Sequence, residues 1–243
     1  TQNHMGHFWR GLVGTSAMGL GFTGLGLLPL PEVTAIGYAA PIFVVIFAAM
    51  FLNEQERAFR LSAVALGMIG VVIVLSPRLS VGVAMNVSET LGAIVVLMGA
   101  ILAALSHVFV RKLVATETTA ATVFWFTVTS SVLALLTLPW GWVVPSGPVA
   151  IMVIMAGLLG GVGQICLTSS YRYADASLVA PFDYVSMILA LAIGYFVFDE
   201  VPTGTLLIGA GIVITAGVLI ILRERRLGLQ RSQQRKATGT VGN

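Results

Sequence analysis

The sequence predicts an all-α membrane protein with eight transmembrane helices, and three observations carry that expectation. Charged residues make up 9% of the chain and hydrophobic ones 57%. The apolar residues gather into runs of bilayer length, and the two halves of the chain share a pattern at a fixed offset. A soluble domain carries about 25% charged residues, so a mean hydropathy of +0.97 does not describe a soluble core. A transmembrane β-barrel is excluded because its strands are about ten residues of alternating polarity.

The runs lie at about 11–29, 32–52, 60–76, 90–110, 120–140, 148–171, 177–198 and 203–222. Each fits a spanning helix of about 17–25 residues. The first is rich in glycine, and its length and the spans that follow argue against a cleavable signal. Turn or charge signals separate the runs: Pro29 and Pro31, Asn53–Arg60, Pro77–Glu89, Arg111–Thr119, Gly141–Pro148, Arg172–Ala176 and Asp199–Thr203. Small residues let helices approach closely in lipid, so the glycines of the first run, and Gly157 and Gly161 of the sixth, are expected to pack. Trp140 and Trp142 suit an interfacial belt. Cys166 sits alone in an apolar run and reads as a small buried hydrophobe.

Orientation follows from the basic residues, which favour cytoplasmic loops. With both termini inside, 12 of the 13 Lys and Arg face the cytoplasm and only Arg78 falls outside. The topology is therefore N-in and C-in. The +3 charge belongs to the basic tail, a topology anchor that can also rest on anionic lipid, and it does not point to nucleic acid.

An offset of 146 residues aligns Gly11 with Gly157, Leu12 with Leu158, Gly14 with Gly160, Val33 with Val179, Tyr38 with Tyr184, Ile42 with Ile188 and Glu54 with Glu200. The spans 11–29, 32–52 and 60–76 fall on 148–171, 177–198 and 203–222 at the same offset. Glu54 is expected inside and Glu200 outside, so the copies are inverted, as in many secondary transporters. The partition is 1–78 for a partial first repeat of three helices, 88–224 for a second repeat of five, and 225–243 for the basic tail. A full first copy would begin about 56 residues before Thr1, so two helices are expected upstream.

Four stretches carry a family resemblance: WRGLVG (Trp9–Gly14), LPLPEVTAIGYAAPIFVVIFAAMFLNEQ (Leu28–Gln55), GLLGGVGQ (Gly157–Gln164) and YRYADASLVAPFDYVSMILALAIGYFVFDEVP (Tyr171–Pro202). Through them the chain resembles the EamA-type members of the drug/metabolite transporter superfamily, over about Arg10–Leu222. The resemblance implies a 5+5 inverted-repeat, ten-helix fold of which the first helix pair is missing here. It also implies transport of a small-molecule metabolite across the bacterial inner membrane.

The candidate site starts from Asp183, the only one of ten acids well inside an apolar run. An acid at a helix centre costs about 3 kcal/mol even on the mildest scale. At 1.5 Å per residue it lies roughly 9 Å from the cytoplasmic end, at a depth comparable to His107 and Gln164. These three form a polar layer, with Tyr184, its repeat equivalent Tyr38, and Trp125 as further candidates to line a substrate cavity. Asp183 can instead bond the free amides of its own helix start. Its repeat counterpart is Gly37, so the acid is an asymmetric addition to a symmetric frame.

Pro41 cannot donate to the carbonyl of Gly37, nor Pro181 to that of Ser177, and interrupted helices at matching places point to a transporter site. Glu54 and Glu200 read as structural acids at helix starts. HExxH and GxxxxGK[ST] runs are absent, so neither a zinc hydrolase nor an ATP-driven pump is indicated, and the protein is not expected to be an enzyme. No metal or cofactor is called for. Protons are a candidate coupling ion, the lipid bilayer the surrounding partner, and a homodimer a candidate assembly. The competing readings are a non-transporting or truncated membrane protein and an intramembrane hydrolase.

Overall fold

The structure is a computed structural model that describes residues 1–52, 62, 65–70, 72–73, 76, 87–199 and 201–239. Regular structure among the described residues is helical. The first helix, α1 (His4–Leu25), begins before the first apolar run because Asn3 caps it, its Oδ1 accepting from the Gly6 amide at 2.8 Å. That early start carries His7 and Arg10 onto the helix.

The predicted helix at 32–52 is two pieces, α2 (Leu30–Gly37) and α3 (Ala39–Phe51), parted at Tyr38. Pro41 has no N–H to offer Gly37, and the break moves it into the first turn of α3, where none is needed. The predicted helix at 177–198 is likewise interrupted. A short α7 (Ala176–Val179) leads into a 3₁₀ turn, Ala180–Asp183, before α8 (Tyr184–Phe198). One break falls on Tyr38 and the other immediately before Tyr184, the residue 146 positions later.

The remaining helices are α4 (Val87–Leu113), α5 (Thr119–Leu135), α6 (Gly147–Tyr173) and α9 (Gly204–Gly239). Caps explain two of their starts: Thr118 accepts from the Ala121 amide at 3.1 Å, and Thr203 from the Leu206 amide at 3.2 Å. α8 ends on Asp199 in the left-handed region, φ 54°, which a short polar side chain tolerates. Among the described residues, three stretches are long and apolar enough to cross a membrane: Glu32–Phe51, α4 and α6. Thr119–Leu135 and Gly204–Leu219 are shorter apolar helices. α9 continues as helix through the basic tail to Gly239. Residues 65–70, from the predicted span at 60–76, are helical. Glu54, Arg57, Arg60, Arg78 and Glu200 lie outside the described residues.

α1 packs chiefly on α4 and then on α5, through glycines. A Cβ on Gly24 would stand 2.2 Å from Val96, and one on Gly99 3.3 Å from the Ala17 carbonyl. The buried core is rich in alanine, with Ala35, Ala39, Ala93, Ala100 and Ala104 among its members. Small residues at helix interfaces suit a membrane, where apolar side chains gain little by leaving lipid. Gly157 and Gly161 depart from expectation. Nothing among the described residues comes within 4 Å of a Cβ on either, because their stretch of α6 is exposed. Cys166, expected to be buried, is free and exposed on the same helix.

Candidate functional site

Two cavities flank α6. The first, of about 300 Å³, lies between α1, α4, α5 and α6; its polar lining is Arg10, Ser106, His107 and Gln164, and Phe126 and Gly14 are part of its apolar wall. Its placement follows from local geometry. Arg10 and Gly14 are one turn apart on one face of α1, and the missing Cβ of Gly14 leaves room there. A Cβ at Gly14 would sit 2.8 Å from Ser106 Oγ and 3.1 Å from both Arg10 Nη1 and a Phe126 ring carbon.

Arg10 is 3% exposed, and its guanidinium carbon lies 3.4 Å from the Phe126 ring centroid. Its Nε and Nη1 are buried with no hydrogen-bond partner among the described residues. A desolvated cation–π contact is worth about 2 kcal/mol, while each buried donor without a partner costs about 1–3 kcal/mol. The ring therefore offsets only part of the cost. His107 Nδ1 is buried without a partner among the described residues, and its ring lies 5.5 Å from that of Tyr171. Gln164 Nε2 donates to Thr168 Oγ1 at 3.3 Å.

The second cavity, of about 650 Å³, is lined by Asp183, Phe182, Leu178, Val179 and, from α6, Cys166, Leu167 and Ser170. Asp183 stands at the start of α8, yet its side chain makes no capping hydrogen bond. Its backbone carbonyl accepts from Ser186 Oγ at 2.6 Å, and that hydroxyl also meets the Tyr38 hydroxyl at 2.6 Å. The two helix breaks are thus joined directly. The side chains of Pro181 and Tyr184 lie outside the described residues, and Gly37 and Pro41 flank the first break.

Of the predicted polar layer, His107 and Gln164 share a cavity, and Asp183 lines the other one. Trp125 lies elsewhere. Its indole N–H donates to Thr1 Oγ1 at 3.1 Å, and its ring faces His4 and His7 at 5.9 and 6.2 Å. The neighbouring Phe126 faces the cavity instead. Sequence reasoning missed Arg10, because an arginine ahead of an apolar run looks like a topology anchor. The available signal was Gly14 one turn later on the same helix face.

Where the starts of α1 and α5 meet the end of α6, Glu117 gathers the chain. It is 7% exposed and accepts from the amides of Gln2 and Asn3 at 2.5 and 3.0 Å, with His7 Nε2 at 3.9 Å. The Gln2 and Asn3 amides hold its carboxyl below the usual range. Burial pushes the His7 imidazole down, against the pull of Glu117. Arg172 donates to the Glu117 backbone carbonyl. Arg111 ties α4 to the end of α6 through the Tyr171 carbonyl at 2.8 Å and Asp175 at 3.1 Å.

Residues 90–223, more than half of the chain, match the EamA-like transporter family. The chain belongs to that family. EamA-like relatives include a protein named riboflavin transporter from Rhizobium johnstonii, 30% identical over 90% of this chain and 72% of its own length. An S-adenosylmethionine uptake transporter of Rickettsia felis is 27% identical over 90% and 72%. A pseudopaline exporter of Pseudomonas aeruginosa is 27% identical over 89% and 74%. A solved crystal structure matches with a TM-score of 0.66 at 21% identity, over 91% of this chain and 76% of that one, which establishes the shared fold. As an EamA-like transporter protein with apolar helices of spanning length, the chain is an integral membrane protein.

Proposed function

We propose that this chain serves a secondary, ATP-independent transporter of a small organic metabolite, working by alternating access around a cavity between two inverted repeats. The observation that carries the reading is the cavity at Arg10, Ser106, His107 and Gln164. It is lined by α1 of the proposed first repeat (1–78) and by α4, α5 and α6 of the second (88–224). Its polar groups are few and convergent in an otherwise apolar wall, the usual form of a small-molecule site. The interrupted helices at Tyr38 and at Ala180–Asp183 support it, since such breaks at matching positions mark transporter sites. The relatives' names support a small organic cargo and include both uptake and export.

His107 and Gln164 are proposed to contact the cargo. Asp183 and Tyr38 belong to the neighbouring break, and Asp183 is the proposed proton-carrying group if transport is proton-coupled. The proposed setting is the bacterial inner membrane with both termini inside. Reconstitution in liposomes tests the reading. The expected result is flux of a small metabolite that needs no ATP, is reduced at least tenfold by Gln164→Ala or His107→Ala, and loses proton coupling in Asp183→Asn with insertion intact. A requirement for ATP, or no flux above protein-free liposomes, would sink it.

A further inference from the structure

Arg10 lies well inside the helix bundle, at the wall of the cavity between α1, α4, α5 and α6, and two of its nitrogens have no partner among the described residues. The acids that approach this end of the bundle are engaged or placed elsewhere. Glu117 binds the Gln2 and Asn3 amides, and Asp183 lines the separate cavity. One face of the guanidinium is covered by Phe126 at 3.4 Å. Donors therefore remain in the guanidinium plane, at its edges. A planar cation with in-plane donors matches a carboxylate, whose two oxygens lie in one plane. The other polar groups suit the same ligand, with the Ser106 hydroxyl and the Gln164 amide both able to donate. A volume of about 300 Å³ is at the small end of ligand pockets.

From this geometry we infer that the cavity is selective for small organic acids, with the Arg10 guanidinium receiving the substrate carboxylate against the Phe126 ring. The inference rests on the reading of this cavity as the cargo site. Gly14 is a positioning residue, since its missing Cβ is the space in which the guanidinium lies flat.

The test separates the inference from that reading. The full chain in detergent is titrated with a panel of small carboxylates and their matching carboxamides, and thermal unfolding is followed. At least one acid should raise the Tm while its amide does not, and Arg10→Gln should abolish that difference with its own Tm no lower than that of the wild type. Arg10→Lys should keep part of it. Acids and amides acting alike, or an acid preference that survives in Arg10→Gln, would overturn the inference. In liposomes, Arg10→Gln should reduce carboxylate flux at least tenfold and spare neutral solutes of equal size. A uniform loss would assign Arg10 to structure or to lipid headgroups instead. Flux confined to neutral solutes would overturn the acid selectivity while leaving the transporter reading intact, and no flux of any solute would sink that reading while the binding experiment still decides Arg10.

Discussion

Gly14 and Glu117 make the sharpest statements about single residues. Adding one methyl at Gly14 forces contacts of 2.8 Å with Ser106 and 3.1 Å with Arg10 and Phe126. Overpacking of this kind costs about 1–3 kcal/mol. Gly14→Ala is therefore expected to lower the Tm and to displace the guanidinium from Phe126. Gly19→Ala, where a Cβ meets nothing within 4 Å, should change neither, and calorimetry of both variants checks the contrast. At Glu117 and His7 the prediction concerns pH. His7 has a lowered pKa, so its contribution to stability is complete above its ordinary value of 6.5 and begins to fall as pH drops below that. Glu117 also has a lowered pKa, so its contribution is complete above 4.5 and is lost as pH falls through its folded value. Acid should release the N-terminal segment in two steps, read by the fluorescence of Trp125, which faces both His4 and His7. Glu117→Gln should remove the lower step and keep the upper one.

At the scale of elements, the interrupted helices and the glycine seams define what can move and what cannot. Residues 65–70 meet α9 so closely that a Cβ on Gly70 would lie 2.8 Å from the Gly209 carbonyl and 3.1 Å from the Val213 amide. The Val213 Cγ2 is nearer still at 2.7 Å, but these two neighbours are backbone, so Gly70→Ala must shift a helix as well as a side chain. It should destabilise more than Gly14→Ala, as measured by the midpoint of thermal unfolding. The break at Tyr38 was legible in the sequence, since Pro41 leaves the Gly37 carbonyl without its helical donor. The matching 3₁₀ turn at Ala180–Asp183 follows from Pro181 in the same way. That the two breaks meet through Tyr38 and Ser186 was not legible, because a hydroxyl pair between residues 148 apart leaves no local periodicity.

Across the whole molecule, α1 and α6, two glycine-rich helices, have different surroundings. α1 is sealed against α4 through Gly24 and Gly99, whereas Gly157, Gly160, Gly161 and Gly163 of α6 face open space among the described residues. Equal glycine content therefore does not produce equal packing, since what a helix meets is settled by the rest of the bundle. The proposed orientation is tested at this scale. In a background with Cys166→Ser, single cysteines near Gly147 and Gly204 should react with an impermeant thiol reagent added outside intact cells, and one near Lys112 should not. The reverse pattern would overturn the N-in, C-in assignment.

Composition alone determined that the chain lives in a bilayer, because 9% charge cannot clothe a soluble surface. Run lengths and prolines determined where helices lie and where two of them break, since both signals act on the backbone within a turn or two. The family was legible from four stretches of sequence together. Tertiary structure decided which polar residues share a cavity. Depth along separate helices placed Asp183, His107 and Gln164 at one level, but the rotation of each helix about its axis depends on its neighbours. That rotation sends Asp183 to one cavity and His107 and Gln164 to another. It also turns Arg10, which sequence alone leaves at a cytoplasmic boundary, onto the face of Phe126.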